Sequence, residues 1–184
     1  MFLIFTLFLY VFILVIALSL TIFLVLSMRD SLIVDVPFIF TRKQAIEKII
    51  QSLHLSSGSF LYDLGCGDGR ILIASVKSCP GIFAIGIERG IIPFIVSKIR
   101  TIGFPIKILR QNIFDTNLSR ATHIYMYLNP KVVNMLAPKI KNESKSGTRI
   151  ISCDYKINDW VPIEEIPIPV KNNQLTRILY VYIV

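Results

Sequence analysis

The sequence predicts an α/β fold: a seven-stranded, mostly parallel sheet that ends in an antiparallel hairpin and is preceded by one transmembrane helix. Three observations carry this expectation. A long apolar run opens the chain. Apolar, β-rich segments then alternate with helical ones, a pattern that builds a parallel sheet with helices on both faces. Finally, two β-rich runs follow each other with no helix between them.

The opening run, MFLIFTLFLYVFILVIALSLTIFLVLS, carries no charged side chain, and the first charge is Arg29. At about 1.5 Å per residue it exceeds a hydrocarbon core of about 30 Å, so it should span a membrane with some tilt. A cleaved signal peptide has a basic start and an apolar stretch of about 7–15 residues. This run has no basic start, is longer, and ends in LSMRD. Residues 1–28 are therefore expected to be a retained, single-pass anchor. Arg29, Arg42, Lys43 and Lys48 follow it closely, and the positive-inside rule places the rest of the chain in the cytoplasm or its organellar equivalent.

Residues 29–40 read as a juxtamembrane connector, with Pro37 after the β-rich LIVDV. The domain proper is expected over 41–184. Thr41 would cap a helix running to Leu55, since A-I-x-x-I-I-x-x-L has helical spacing. After it come FLYDL (strand), RILIASVKS (helix), IFAIGIE (strand), IIPFIVSKIRTI (helix), PIKIL and THIYMYL (strands), KVVNMLAPKIK (helix) and TRIISCD (strand). EEIPIPV and LTRILYVYIV, joined by KNNQ, read as the closing hairpin.

The net charge of +8 belongs to the part after the anchor. Its basic residues are dispersed, so nucleic-acid binding is only weakly indicated, and attraction to an anionic leaflet is at least as well supported. Cys66, Cys79 and Cys153 are odd in number and lack metal-ligand spacing. They fit a reducing compartment with neither a disulfide framework nor a metal site.

The chemistry concentrates in LYDLGCGDGRILIAS, residues 61–75. Ligands of open α/β sheets bind at the carboxyl ends of the strands near the switch point. Gly65, Gly67 and Gly69 occupy the first strand-to-helix turn, where missing side chains let a ligand lie against backbone. Glu88 ends the next strand, and an acid about 20 residues on typically binds ribose hydroxyls. A nucleoside-type ligand follows. A dinucleotide would use G-x-G-x-x-G and set its pyrophosphate on the helix N-terminus. Here the spacing is G-x-G-x-G, and Asp63 and Asp68 would repel a pyrophosphate. The pair suits a ligand with a cationic end, such as S-adenosylmethionine. The G-K-[ST] of a P-loop is absent.

D-L-G-C-G-D-G-R followed by an acid after the second strand resembles the class I S-adenosylmethionine-dependent methyltransferases, whose sheet is Rossmann-like. The resemblance narrows to a family of membrane-anchored protein-lysine methyltransferases. That family includes the mitochondrial enzymes acting on the ATP synthase c subunit and on the adenine nucleotide translocase, together with prokaryotic relatives. DVPFIFT, Asp35–Thr41, is similar to the family's V-P-[FY]-V-P-T. Its D-[IL]-G-S-G-D-G-R resembles the loop, and its A-C-R-F-x-F-x-x-W-x-P resembles S-C-D-Y-K-I-N-D-W-V-P at Ser152–Pro162. Two departures stand out: the family's E-L-N-P is E-R-G-I here, and the acid near the adenine aligns with Asn112.

The roles are assigned as follows. Asp63 is read as holding the methionine ammonium, with a helix N-cap as the alternative, and Gly65, Gly67 and Gly69 as lying against the cofactor, with an ordinary tight turn as the alternative and Cys66 as loop filler. Asp68 contacts the cofactor or caps the following helix. Glu88 takes the ribose diol. Asn112 near the adenine and Thr41 closing over the cofactor are roles that rest on the resemblance, with a plain turn residue and a simple helix N-cap as the respective alternatives. Tyr127 and Asn129, ending the fourth strand, are the candidates on the acceptor side, with plain strand capping as the alternative. His54, His123 and Trp160 read as structural. The expected activity is methyl transfer to a lysine amine of a protein, a membrane protein included. The alternatives are a lipid or quinone-like acceptor, a non-catalytic nucleoside-binding module and, on the glycine loop alone, a nicotinamide oxidoreductase.

Overall fold

The computed structural model describes residues 2–33, 43–168 and 177–184. It divides into two units, 1–35 and 36–184. The first is a single helix, α1 (Phe2–Ile33). Its stretch Ile4–Ile22 is long and apolar enough to cross a membrane. Polar groups inside it satisfy themselves: the Ser19 and Thr21 hydroxyls donate to the carbonyls of Val15 and Ala17, 2.8 Å in each case. Such back-bonding removes the need for water. The helix runs on through Arg29 and Asp30 into the stretch expected as connector.

In the second unit α2 (Lys43–Leu53) is followed by β1 (Phe60–Leu64), α3 (Arg70–Ser78), β2 (Phe83–Glu88), α4 (Ile91–Arg100) and β3 (Ile106–Arg110). A 3₁₀ turn at Ile113–Asp115 leads to β4 (His123–Met126), α5 (Pro130–Glu143) and β5 (Arg149–Cys153). β6 (Glu164–Ile168) and β7 (Arg177–Ile183) complete the sheet. The strand order is β3-β2-β1-β4-β5-β7-β6. β1 to β5 pair in parallel, and β7 runs antiparallel to both β5 and β6. The expected seven strands and closing hairpin are present; the residues linking β6 to β7 lie outside the described ones.

Burial explains the placement. β1, β4 and β5 are covered on both faces and are largely apolar, as buried parallel strands must be. Pro167 cannot donate to a ladder, which suits β6 to the sheet edge. On one face Ile49 and Leu53 of α2 and Leu72 of α3 pack with Leu61, Tyr125 and Ile151. On the other, Val133, Leu136 and Ile140 of α5 pack with Leu64, Ile124 and Met126. The Arg149 Nε donates to the Ser52 carbonyl at 2.8 Å and so caps the end of α2, where a cation complements the helix dipole.

Strand register fixes what stands beside what. Gly86, Asp63, Tyr125 and Ile151 are successive partners across β2, β1, β4 and β5, so their side chains share one face. Gly86 is obligatory there. A Cβ would lie 2.6 Å from Leu72 Cδ1, 2.7 Å from Cys66 Sγ and 2.8 Å from Ile108 Cδ1. Gly86→Ala should therefore lower stability by about 1–3 kcal/mol through overpacking, read as a drop in the denaturant midpoint at unchanged slope.

Candidate active site

β1 delivers Asp63 to its carboxyl end, and the chain then turns sharply through residues 65–69. Gly65, Gly67 and Gly69 have φ of 81°, 55° and 76°, the left-handed region that favours glycine. The turn is pinned to β2: the N–H groups of Gly65 and Cys66 both donate to the Ile87 carbonyl, at 2.8 and 3.0 Å. Gly65 also passes so close to Leu128 that a Cβ would sit 2.8 Å from its Cδ2. The positive φ of all three glycines, with the Leu128 approach at Gly65, is why the turn alternates glycine with other residues.

Glu88 closes it. Its Oε2 accepts the Gly67 N–H at 3.0 Å and its Oε1 the Gly90 N–H at 2.8 Å. Burial lifts the Glu88 carboxyl above its ordinary range, against the pull of these backbone donors. Each oxygen keeps a second lone pair, so a diol can still bind.

Asp63 is buried, and its Oδ2 has no hydrogen-bond partner. Burial, and then the charges of Glu88 and Asp68, push its carboxyl well above the usual carboxylate range. Asp68 is in the opposite condition. Burial works against its ionisation. The Arg70 side chain donates to it from Nε at 2.8 Å and Nη2 at 2.6 Å, and Arg100 Nη1 reaches the same Oδ2. Together they hold the Asp68 carboxyl below its usual range. Its Oδ1 also accepts the backbone N–H of Arg70, the first residue of α3, at 3.3 Å, while the N-cap position itself is Gly69. Asp68 thus latches the loop to α4.

The other expected residues border this cradle from the neighbouring strand ends. Asn112 follows β3, and its Oδ1 accepts the Phe114 N–H at 3.2 Å. Asn129 caps α5 by accepting the Val132 N–H at 2.8 Å. Tyr127 follows β4. Cys66 is buried under the loop, and burial pushes its thiol far above the ordinary value, so it serves as filler rather than nucleophile. Thr41 lies outside the described residues, as does the DVPFIFT stretch. Trp160 packs edge-on against Tyr182 at 5.8 Å in the second core, and His123 bonds to the Thr122 hydroxyl at 2.8 Å.

Two residues beside Tyr127 escaped the sequence reading. Asp154, just past β5, adopts φ 66°, a strained conformation for any residue other than glycine, although aspartate tolerates it better than most. β7 clamps it there: its N–H donates to the Ile178 carbonyl at 2.8 Å, and its Oδ1 accepts the Ile178 N–H at 3.3 Å. The Arg177 guanidinium stands 3.7 Å from the Asp154 carboxylate and 4.9 Å from the centre of the Tyr127 ring. Burial, followed by the Asp154 charge, raises the Tyr127 hydroxyl above its ordinary value. The one signal available in sequence was that Asp154 occupies the position of an arginine in the family's A-C-R-F.

Several known proteins resemble this chain. The family of the ANTKMT methyltransferase domain matches residues 63–164. A protein-lysine N-methyltransferase of Saccharolobus islandicus (strain REY15A) is 32% identical over 158 residues, which cover 84% of this chain and 97% of that protein. The human lysine N-methyltransferase of the ATP synthase c subunit is 28% identical over 135 residues, which cover 70% of this chain and 56% of that protein. An RNA methyltransferase of Salinibacter ruber, solved with S-adenosyl-L-homocysteine, shares the fold with a TM-score of 0.69 at 23% identity, over 79% of this chain and 93% of that one.

The two loop acids should respond to pH with opposite sign. Asp63 titrates higher when folded than when unfolded. Its penalty is absent below the ordinary aspartate value near 4 and grows as pH rises toward the folded value. Asp63→Asn should therefore stabilise the ligand-free protein near pH 8 by on the order of 1 kcal/mol, and the gain should vanish near pH 3. Asp68 titrates lower when folded, so its contribution is present above the ordinary value and is lost as pH falls through the folded one. Asp68→Asn should cost stability at pH 8 and progressively less as pH falls below the ordinary aspartate value near 4. Thermal melts of both variants across this range check the pair.

Proposed function

The chain belongs to the family of the ANTKMT methyltransferase domain and works with S-adenosylmethionine, and we propose that it methylates a lysine amine of a protein from a membrane-anchored position. The observation that carries the cofactor reading is the unpartnered Asp63 oxygen, buried beside a glycine-rich loop. A buried carboxylate without a partner is costly unless a cation completes it. Asp63 would take the amino-acid ammonium, the backbone at Gly65, Gly67 and Gly69 would lie along the ligand, and Glu88 would take the ribose diol. Asn112 and Thr41 would flank the adenine. When bound, S-adenosylmethionine supplies an electrophilic methyl on a positively charged sulfur.

The protein's own part is alignment and water exclusion. The acceptor enters where Tyr127 and Asp154 stand. An ammonium finds a counter-charge in the Asp154 carboxylate, and its proton must pass to water before nitrogen can attack. Arg177, paired with Asp154 and stacked on Tyr127, keeps both groups in place. Asn129 supports the same edge by capping α5.

Three observations support the membrane and protein parts of the reading: the apolar α1, the cations that follow it, and relatives whose names specify lysine on proteins. The domain then lies on the cytoplasmic side or its organellar equivalent.

Three measurements test this. Calorimetry should show cofactor binding that Asp63→Ala and Glu88→Ala each weaken about ten- to hundredfold, the worth of one charge-assisted hydrogen bond; unaltered affinity in both would refute the site. Asp154→Asn should keep cofactor affinity while raising KM for the acceptor. Membranes incubated with labelled cofactor should retain label in the protein fraction. Label in the lipid extract would identify a lipid or quinone-like acceptor instead, and no label despite cofactor binding would identify a non-catalytic module.

A further inference from the structure

α4 shows water an apolar stripe that an ordinary surface helix would bury. Ser97, with Thr101 just past the helix end, points inward and is buried, and each satisfies its hydroxyl on the helix itself. The Ser97 Oγ donates to the Phe94 carbonyl and the Thr101 Oγ1 to the Ser97 carbonyl, 2.8 Å in each case. Their small size is required by the glycine loop. A Cβ on Gly69 would stand 3.3 Å from Thr101 Cγ2 and 3.5 Å from Ser97 Cβ. The outward face is apolar: Ile92, Ile95, Val96 and Ile99, at helical spacing, are 43%, 44%, 37% and 63% exposed, and Ile102 just beyond is 75% exposed. A surface helix normally shows water the reverse pattern, and a contiguous apolar stripe marks a binding face.

The charge around the stripe selects the partner. Between Arg89 and Asn112 the chain carries Arg89, Lys98, Arg100, Lys107 and Arg110 and no acidic residue, although Lys107, in register with Ile85, points to the sheet face opposite α4. All five are exposed. Lys98 and Arg100 border the stripe on α4 itself. Apolar residues rimmed by cations suit an interface of anionic headgroups over acyl chains. A second copy of the chain would bring like charges together across a two-fold contact.

We propose that α4 is a membrane-surface element: its isoleucines enter the headgroup boundary of an anionic bilayer, and the cations beside them that Asp68 does not hold (Lys98 and Arg89 first) pair with lipid phosphates. The inference rests on the anchored reading above. It goes further in orienting the domain, because α4 begins directly after Glu88 and Gly90 and packs the glycine loop with its inward face, so the cofactor cradle lies one helix away from the bilayer. Acceptor amines held at the membrane surface are then preferred over those in solution.

The test uses the full chain, with Cys79→Ser, reconstituted into vesicles of phosphatidylcholine alone or mixed with phosphatidylglycerol. An environment-sensitive fluorophore is placed at Ile99→Cys or, as control, at Met135→Cys on α5, where the side chain is also exposed. In anionic vesicles the probe at 99 should shift to the blue and be quenched severalfold more by lipid-borne quenchers than the probe at 135. High salt or Ile92→Ser/Ile95→Ser should reduce the difference. A water-like probe at 99 in vesicles that retain the chain overturns the proposal and leaves the anchor reading standing. Failure of the chain to float with the vesicles overturns both. Protection at 99 in lipid-free detergent, with cross-linking between copies, assigns the face to a dimer and also overturns the proposal.

Discussion

A carboxylate buried without a partner is the constraint around which this domain is arranged. Asp63 stands in the middle of the sheet, in register with Gly86 on one side and Tyr125 on the other, beneath the layer formed by α2 and α3. Two further acids lie close enough to raise its cost. The protein satisfies those two locally. Asp68 is held by Arg70 and Arg100, and Glu88 by backbone N–H groups. Asp63 alone of the three has an oxygen with no partner among the described residues. The unmet requirement is therefore specific: one positive charge, at the carboxyl end of β1, beside a loop that has glycine at alternate positions.

Glu88 couples the parts of that site. The same carboxylate that faces a ribose position also holds the Gly67 and Gly90 N–H groups, so the loop after β1 and the start of α4 meet on one side chain. The Asp68–Arg100 contact ties the same two elements a second time. Shape at the cradle and orientation of α4 are thus not independent. Ser97 and Thr101 face inward because Gly69 needs small neighbours, and the isoleucines face outward as a consequence.

Much of the fold was legible in the sequence for a local reason. Buried parallel strands are largely apolar, the helices between them carry their period in a few turns, and glycines at alternate positions mark a turn that side chains cannot enter. The spacing from Asp63 to Glu88 was readable because one crossover separates them. The Arg70 partner of Asp68 was close in sequence, but Arg100 was not. Asp154 and Arg177 stayed hidden because β7 inserts between β5 and β6, and that placement brings together residues far apart along the chain. The apolar IIPFIVSKIRTI read simply as a helix, and nothing in its period says which side meets water.

The order of elements, the apolar α1, the glycine cradle and its acids were determined by the sequence alone, because each follows from spacing and side-chain chemistry within a few residues. Tertiary structure decided which acid is left unpaired, which tyrosine gains a charged neighbour and which face of α4 is exposed. Those outcomes depend on strand register and on which surfaces cover one another, and such long-range choices leave no periodic trace in the chain.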